Sequence, residues 1–250
     1  MPWCDVVRGS LRDSYERYKH LLHGGSIDVD LAEKIENIEK NIINNIKNII
    51  DLDKDLEEII RELTENGVLD ELIRDVGREF KVNVKDARKA VNTFLNGNLQ
   101  DEQARIAFIV IQAVARLKAM HSEQKGLSEK ARITPYCPVC GAESGTMVRY
   151  KGAFYMVCPF CGFMWRVSDT FTCPYCGNTD KLRLGVMTGK RSKRLGIAWC
   201  QECGRTWRVI LDERVVLSVP RLLLPVIAHG AEIYREALSS VMDDESSGGE

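Results

Sequence analysis

Cys137-Pro-Val-Cys140-Gly141, followed by Tyr155-Met-Val-Cys158-Pro-Phe-Cys161-Gly-Phe-Met-Trp165-Arg-Val167, decides how this chain folds. The same pattern returns as Cys173-Pro-Tyr-Cys176-Gly177, then Ile197-Ala-Trp-Cys200-Gln-Glu-Cys203-Gly-Arg-Thr-Trp207-Arg-Val209. In both copies Trp-Arg-Val begins four residues after the last cysteine. The first cysteines of the two pairs are 21 residues apart in the first copy and 27 in the second, and the extra six fit a longer hairpin loop around Gly189–Arg194. The region is a tandem duplication.

The spacing has a chemical reason. Two residues between cysteines allow a tight knuckle that turns both sulfurs toward one ion, and the glycine that follows supplies the positive φ such a turn needs. Two knuckles, one from each of two hairpins, complete a tetrahedral Cys4 site of the zinc-ribbon or rubredoxin type. A unit of about 35–40 residues cannot bury a self-sufficient core. A structural metal site contributes about 10–16 kcal/mol to folding and makes up that shortfall. The expected ligands are therefore Cys137, Cys140, Cys158 and Cys161 for one divalent ion, and Cys173, Cys176, Cys200 and Cys203 for a second. Zinc would make both sites structural, whereas iron would make them one-electron centres. A dithiol oxidoreductase needs a single reactive C-x-x-C pair, so four matched pairs favour ligation over thiol catalysis.

The chain has 250 residues and a formal charge of −1, so it is no polycation built to coat nucleic acid. Residues 1–136 carry −3, residues 137–219 carry +6 and residues 220–250 carry −4. Two Cys4 sites holding divalent ions would each carry a formal −2, so much of the local basicity compensates thiolates. No apolar run reaches the ~18–20 residues of a membrane span. Met1-Pro-Trp-Cys4-Asp lacks the basic-then-apolar order of a secretory signal, which points to the cytosol, where cysteines serve metals more often than disulfides.

The amino-terminal half reads as helical. From a cap at Ser26 or Asp28, a heptad series Ile35, Ile42, Ile49, Leu56, Leu63 runs beside Ile38, Leu52 and Ile59, with Asn45 as its polar interruption. This predicts one long helix, stopped at Asn66-Gly67. Ile43, Ile46, Ile50 and Ile60 widen the stripe beyond a coiled-coil seam, which suits a helix packed within a bundle, although the heptads leave a homodimer open. A second long helix is expected over 100–121, with Ala104, Ala107, Val110, Ile111, Val114 and Leu117 on one face, and shorter ones over 10–23, 68–79 and 85–95. The stretch His121–Arg132 lacks apolar periodicity and reads as a linker.

Short strands are expected at 148–151, 154–157, 162–167, 182–187, 196–199 and 206–211, and a helix over 226–241 with Pro225 near its first position. The fold class is thus α+β: a helical scaffold or docking domain over 1–130, a first Cys4 ribbon over 131–170, a second over 171–219, a carboxy-terminal helix within 220–242 and a disordered tail over 243–250.

Other residues take plainer readings. Lys190, Arg191, Lys193 and Arg194 form a solvated basic loop, with phosphate contact or partner docking as the alternative. Trp165, Trp207, Phe163 and Tyr175 fill small cores beside the sites. His20, His23, His121 and His229 have no ligand-like partners, and Cys4 stands alone. No Ser/His/Asp constellation, phosphate-cradling glycine loop or H-E-x-x-H motif occurs, so the sequence supports a binding protein rather than an enzyme.

A helical region, two tandem Cys4 units with a step of only 12 residues from Cys161 to Cys173, a distant fourth pair and a final helix together resemble the formate dehydrogenase accessory protein family called FdhE. The resemblance rests on the Cys137/Cys140, Cys158/Cys161, Cys173/Cys176 and Cys200/Cys203 pairs with Trp165, and covers about residues 133–240. It implies a cytoplasmic assembly factor that binds the catalytic subunit of a molybdenum- or tungsten-dependent formate dehydrogenase, with iron as well as zinc in its rubredoxin-like sites. The rival readings are a zinc-ribbon nucleic-acid-binding protein, against which the charge balance weighs, and an iron-based electron carrier.

Overall fold

A computed structural model describes residues 28–188 and 194–229. The helix expected over 10–23, Cys4, His20, His23, the loop residues Lys190, Arg191 and Lys193, and the tail 243–250 lie outside the described residues. The chain forms two compact units, Asp30–Ser122 and one running from Glu123 onward.

The first unit holds helices α1 (Val29–Ile46), α2 (Leu56–Glu65), α3 (Val68–Glu79) and α4 (Ala87–Leu95), and most of α5 (Glu102–Gln124). The single long helix expected from the heptads is instead two helices, α1 and α2. Asn44, Asn45 and Asn48 weaken the helix at its break. Asp51 then offers its side chain to the amide of Asp53 at 3.0 Å, and Asp55 takes extended geometry as the cap of α2. Ile49, expected on the buried seam, is consequently exposed. Ile38, Ile42 and Ile46 of α1 and Ile59 and Leu63 of α2 enter one shared core with α3, α4 and α5.

Local capping sets the remaining boundaries. Gly67, at φ 73°, ends α2 and opens α3. The Asp86 carboxylate accepts from Lys89 N at 3.0 Å to start α4, and Asp101 accepts from Ala104 N at 2.9 Å to start α5. α5 is no one-faced amphipathic helix, because Ile109 through Ala115 are buried without a break. It also runs to Gln124 and is followed by a 3-10 turn, Leu127–Glu129, so the segment expected as a linker is partly ordered helix. Among the described residues no helix is long and apolar enough to cross a membrane.

The second unit holds all six expected strands: β1 (Thr146–Tyr150), β2 (Ala153–Val157), β3 (Met164–Ser168), β4 (Leu184–Thr188), β5 (Leu195–Cys200) and β6 (Thr206–Ile210). Within each repeat the strands pair antiparallel. The repeats then join edge to edge, with β1 lying parallel to β6 in the register Thr146↔Arg208, Met147↔Val209, Val148↔Ile210. The result is one six-stranded sheet, ordered β3-β2-β1-β6-β5-β4.

Alternation along the strands gives the sheet two apolar faces. On one, Val148, Tyr155, Val157, Ile197 and Ile210 pack with Val215 and Val216 of a short helix α6 (Glu213–Ser218) and with Leu224, Ile227 and Ala228. α6, capped by Asp212 through Arg214 N, was not anticipated. Residues 224–229 are helical, so the expected carboxy-terminal helix begins two residues early, and its continuation past 229 lies outside the described residues. The other face carries Trp165, Trp207 and a run of rings, Phe154–Phe171–Trp207–Tyr175, with centroids 5.4, 5.9 and 6.2 Å apart.

Candidate metal centre

The four knuckles are built alike. In each, the amide of the first cysteine donates to the carbonyl five residues on: Cys137 to Ala142, Cys158 to Phe163, Cys173 to Asn178 and Cys200 to Arg205, at 2.9–3.0 Å. The glycine amide four residues on then donates back to the carbonyl of that first cysteine, at 2.9–3.2 Å. This double closure forces positive φ at Gly141, Gly162, Gly177 and Gly204, which lie between 68° and 77°.

The eight cysteines come together in the combination expected, Cys137, Cys140, Cys158 and Cys161 in one cluster and Cys173, Cys176, Cys200 and Cys203 in the other, with the ligand atoms of each cluster within 4.8 Å of one another. None is disulfide-bonded. The cross-knuckle Sγ···Sγ distances are 3.6 Å for Cys137–Cys161 and 3.4 Å for Cys140–Cys158. In the second cluster they are 3.6 Å for Cys173–Cys203 and 3.7 Å for Cys176–Cys200. Four sulfurs bonded at about 2.3 Å to one tetrahedral ion have edges of about 3.8 Å. Both clusters therefore fit a four-thiolate ion with little adjustment.

Amide donors aimed at sulfur mark the thiolate character of the sites. Cys158 Sγ accepts from the amides of Phe160 and Cys161, both at 3.4 Å. Hydrogen bonds from Cys137, Cys140 and Cys161 hold its thiol well below the ordinary range, while the same contacts and burial hold Cys137 and Cys161 above it. In the second cluster burial pushes Cys173 up to about 12. Burial acts most strongly on Cys200 as well, but donors from Cys203, Asn178 and Glu202 outweigh it and bring that thiol down to about 7. The Asn178 side-chain amide, 3.6 Å from Cys200 Sγ, carries no spacing signal and escaped the sequence reading.

The neighbouring aromatics behave as small-core residues. Trp165 stacks on Phe163 with centroids 6.5 Å apart, and Tyr175, inside the third knuckle, touches Trp207. Of the basic loop, Arg194 is described and pairs with Asp212 at 3.4 Å. His121 pairs with Asp53 at 2.8 Å within the helical unit.

No protein-family model matches this chain, and no curated protein does. Among solved structures, the crystal structure of the FdhE protein from Pseudomonas aeruginosa matches 92% of this chain and 91% of its own, with a TM-score of 0.57 and 17% identity. The chain has an FdhE-like fold. The likeness spans more than the ribbon region on which the sequence resemblance rests, because a match over 92% of the chain must include helical residues.

Proposed function

We propose that this protein is an FdhE-like accessory factor that binds the catalytic subunit of a molybdenum- or tungsten-dependent formate dehydrogenase and supports its maturation. The observation that carries the reading is the FdhE-like fold over nearly the whole chain, joined to the two Cys4 clusters. The eight cysteines are proposed to hold two divalent ions, zinc or iron, one per ribbon. Four protein thiolates fill a tetrahedral ion's coordination and leave no open position for a substrate, which favours binding over catalysis. The ions would rigidify two hairpin platforms, and the helical unit would supply further docking surface, in a cytoplasmic setting.

The test is capture of the tagged chain from its native cytosol at moderate salt. Recovery of a formate dehydrogenase catalytic subunit is the expected result. Recovery of nucleic acid without that enzyme, released steeply by added salt, would replace the proposal with the nucleic-acid reading.

A further inference from the structure

The duplicated ribbons place equivalent residues in opposite environments. In the first ribbon, Cys161 through Trp165 are all buried. In the second, the equivalent run from Cys203 through Thr206 is exposed, together with Gln201 and Glu202 ahead of it. The chemistry of the covering residues explains the contrast, since Phe163 and Met164 of the first repeat are replaced by Arg205 and Thr206 in the second. Leu222 and Arg221 also lie over the first ribbon's knuckle, where a Cβ on Gly162 would meet Leu222 Cδ2 at 3.5 Å, whereas the space beside Gly204 is open for 4 Å. Arg221 is anchored there by an ion pair with Glu123. The contrast falls on the second cysteine of each knuckle: Cys140 is half-buried and Cys161 buried in the first cluster, whereas their counterparts Cys176 and Cys203 are exposed in the second, and Cys137, Cys158, Cys173 and Cys200 are buried alike.

We infer that the two clusters differ in kind: the first is a permanent fold staple, and the second is an exchange site that takes and releases its ion through Cys176 and Cys203 by substitution with an incoming thiolate donor. This rests on the Cys4 reading given above. In the exchange an external thiol loses its proton and bonds to the ion as the Cys176 or Cys203 sulfur leaves and takes up a proton. Ligands change and no electron moves. A donor reaches this ion without unfolding anything, whereas the first ion is reached only by opening the Phe163–Trp165 cover and the 221–222 turn.

The experiment uses the full chain loaded with zinc. Metal content is measured first, and two ions per chain are expected; fewer than two would sink the Cys4 reading itself. Transfer to a chromophoric pyridylazo chelator is then followed, with and without millimolar glutathione. One equivalent should leave roughly tenfold or more faster than the other, because only the slow one waits on local opening, and glutathione should accelerate the fast equivalent alone. Iodoacetamide applied after that equivalent has left should label Cys173, Cys176, Cys200 and Cys203. A single transfer rate for both ions, or first labelling at Cys137, Cys140, Cys158 and Cys161, would overturn the inference. Cys176→Ser should abolish the fast phase and keep the slow one, and the wild-type labelling stands whether or not that variant folds.

Discussion

Trp165 and Trp207 occupy the same position of the repeat, yet the indole of Trp165 donates to the Thr134 carbonyl at 3.2 Å and the indole of Trp207 is buried without a hydrogen-bond partner among the described residues. The duplication copied the ring but not the acceptor. Thr134 belongs to the segment that precedes the first knuckle and lies along β3, where Arg132 N bonds to Arg166 O at 2.8 Å. At the equivalent place β6 is flanked by β1 instead.

Trp165→Phe should therefore cost more stability than Trp207→Phe, by about 1 kcal/mol, because the first leaves the part-buried Thr134 carbonyl without its donor while the second removes an unsatisfied donor. Urea midpoints of the metal-loaded variants decide this. Equal losses would show that ring area alone sets the cost.

Cys158→Ser should release one of two ions and melt the first ribbon. Cys158 contacts Cys140 across the knuckles and takes two amide donors, so a hydroxyl there loses both a thiolate ligand and the geometry that supports it. Metal stoichiometry and near-ultraviolet circular dichroism report the outcome. An unchanged metal content would contradict the ligand assignment.

The Glu39–Arg116 pair inside the helical unit should respond asymmetrically. Glu39 is 1% exposed, one carboxylate oxygen takes Arg116, and the other has no partner among the described residues. Burial raises its pKa above the ordinary 4.5, and the nearby Arg116 charge offsets this only in part. The fold thus binds this proton more readily than the unfolded chain does, so the pair's contribution falls as pH rises through 4.5 toward the raised value. Glu39→Gln should flatten that slope and leave stability at neutral pH within about 1 kcal/mol of the parent. Arg116→Met should cost about 3 kcal/mol, since it leaves the buried carboxylate unpaired. Urea titrations at pH 5 and pH 8 separate the two, and the reverse ranking would refute the argument.

Gly185 faces Trp199 across β4 and β5, and a Cβ at Gly185 would stand 2.0 Å from Trp199 Cζ2. Gly185→Ala should push that ring off the strand, shift tryptophan emission to the red and cost about 1–3 kcal/mol. An unchanged emission maximum would mean that the ring does not lie over the glycine in solution.

Most of the candidate site was legible because its determinants are local. A C-x-x-C-G knuckle closes through hydrogen bonds within six residues, so spacing alone carries its geometry, and the matched Trp-Arg-Val runs identify which knuckles share a ribbon. The exposure contrast between the clusters has its own local signal, Phe163-Met164 against Arg205-Thr206. The break between α1 and α2 was missed because the apolar repeat runs through Lys47–Asp55, while the Asn and Asp side chains that interrupt the helix act by competing locally for its backbone.

By itself the sequence determined the two helical and ribbon regions, the six strands and the grouping of the eight cysteines, all set by periodicity and turn chemistry over short separations. Tertiary structure alone decided the parallel joint of β1 to β6, the unbroken burial of α5 from Ile109 to Ala115 and the different surroundings of Trp165 and Trp207. Those depend on which surfaces meet after the hairpins and helices form. Two copies of one local pattern acquired different surroundings because a strand edge, a turn and a carbonyl from distant parts of the chain can each cover only one of them.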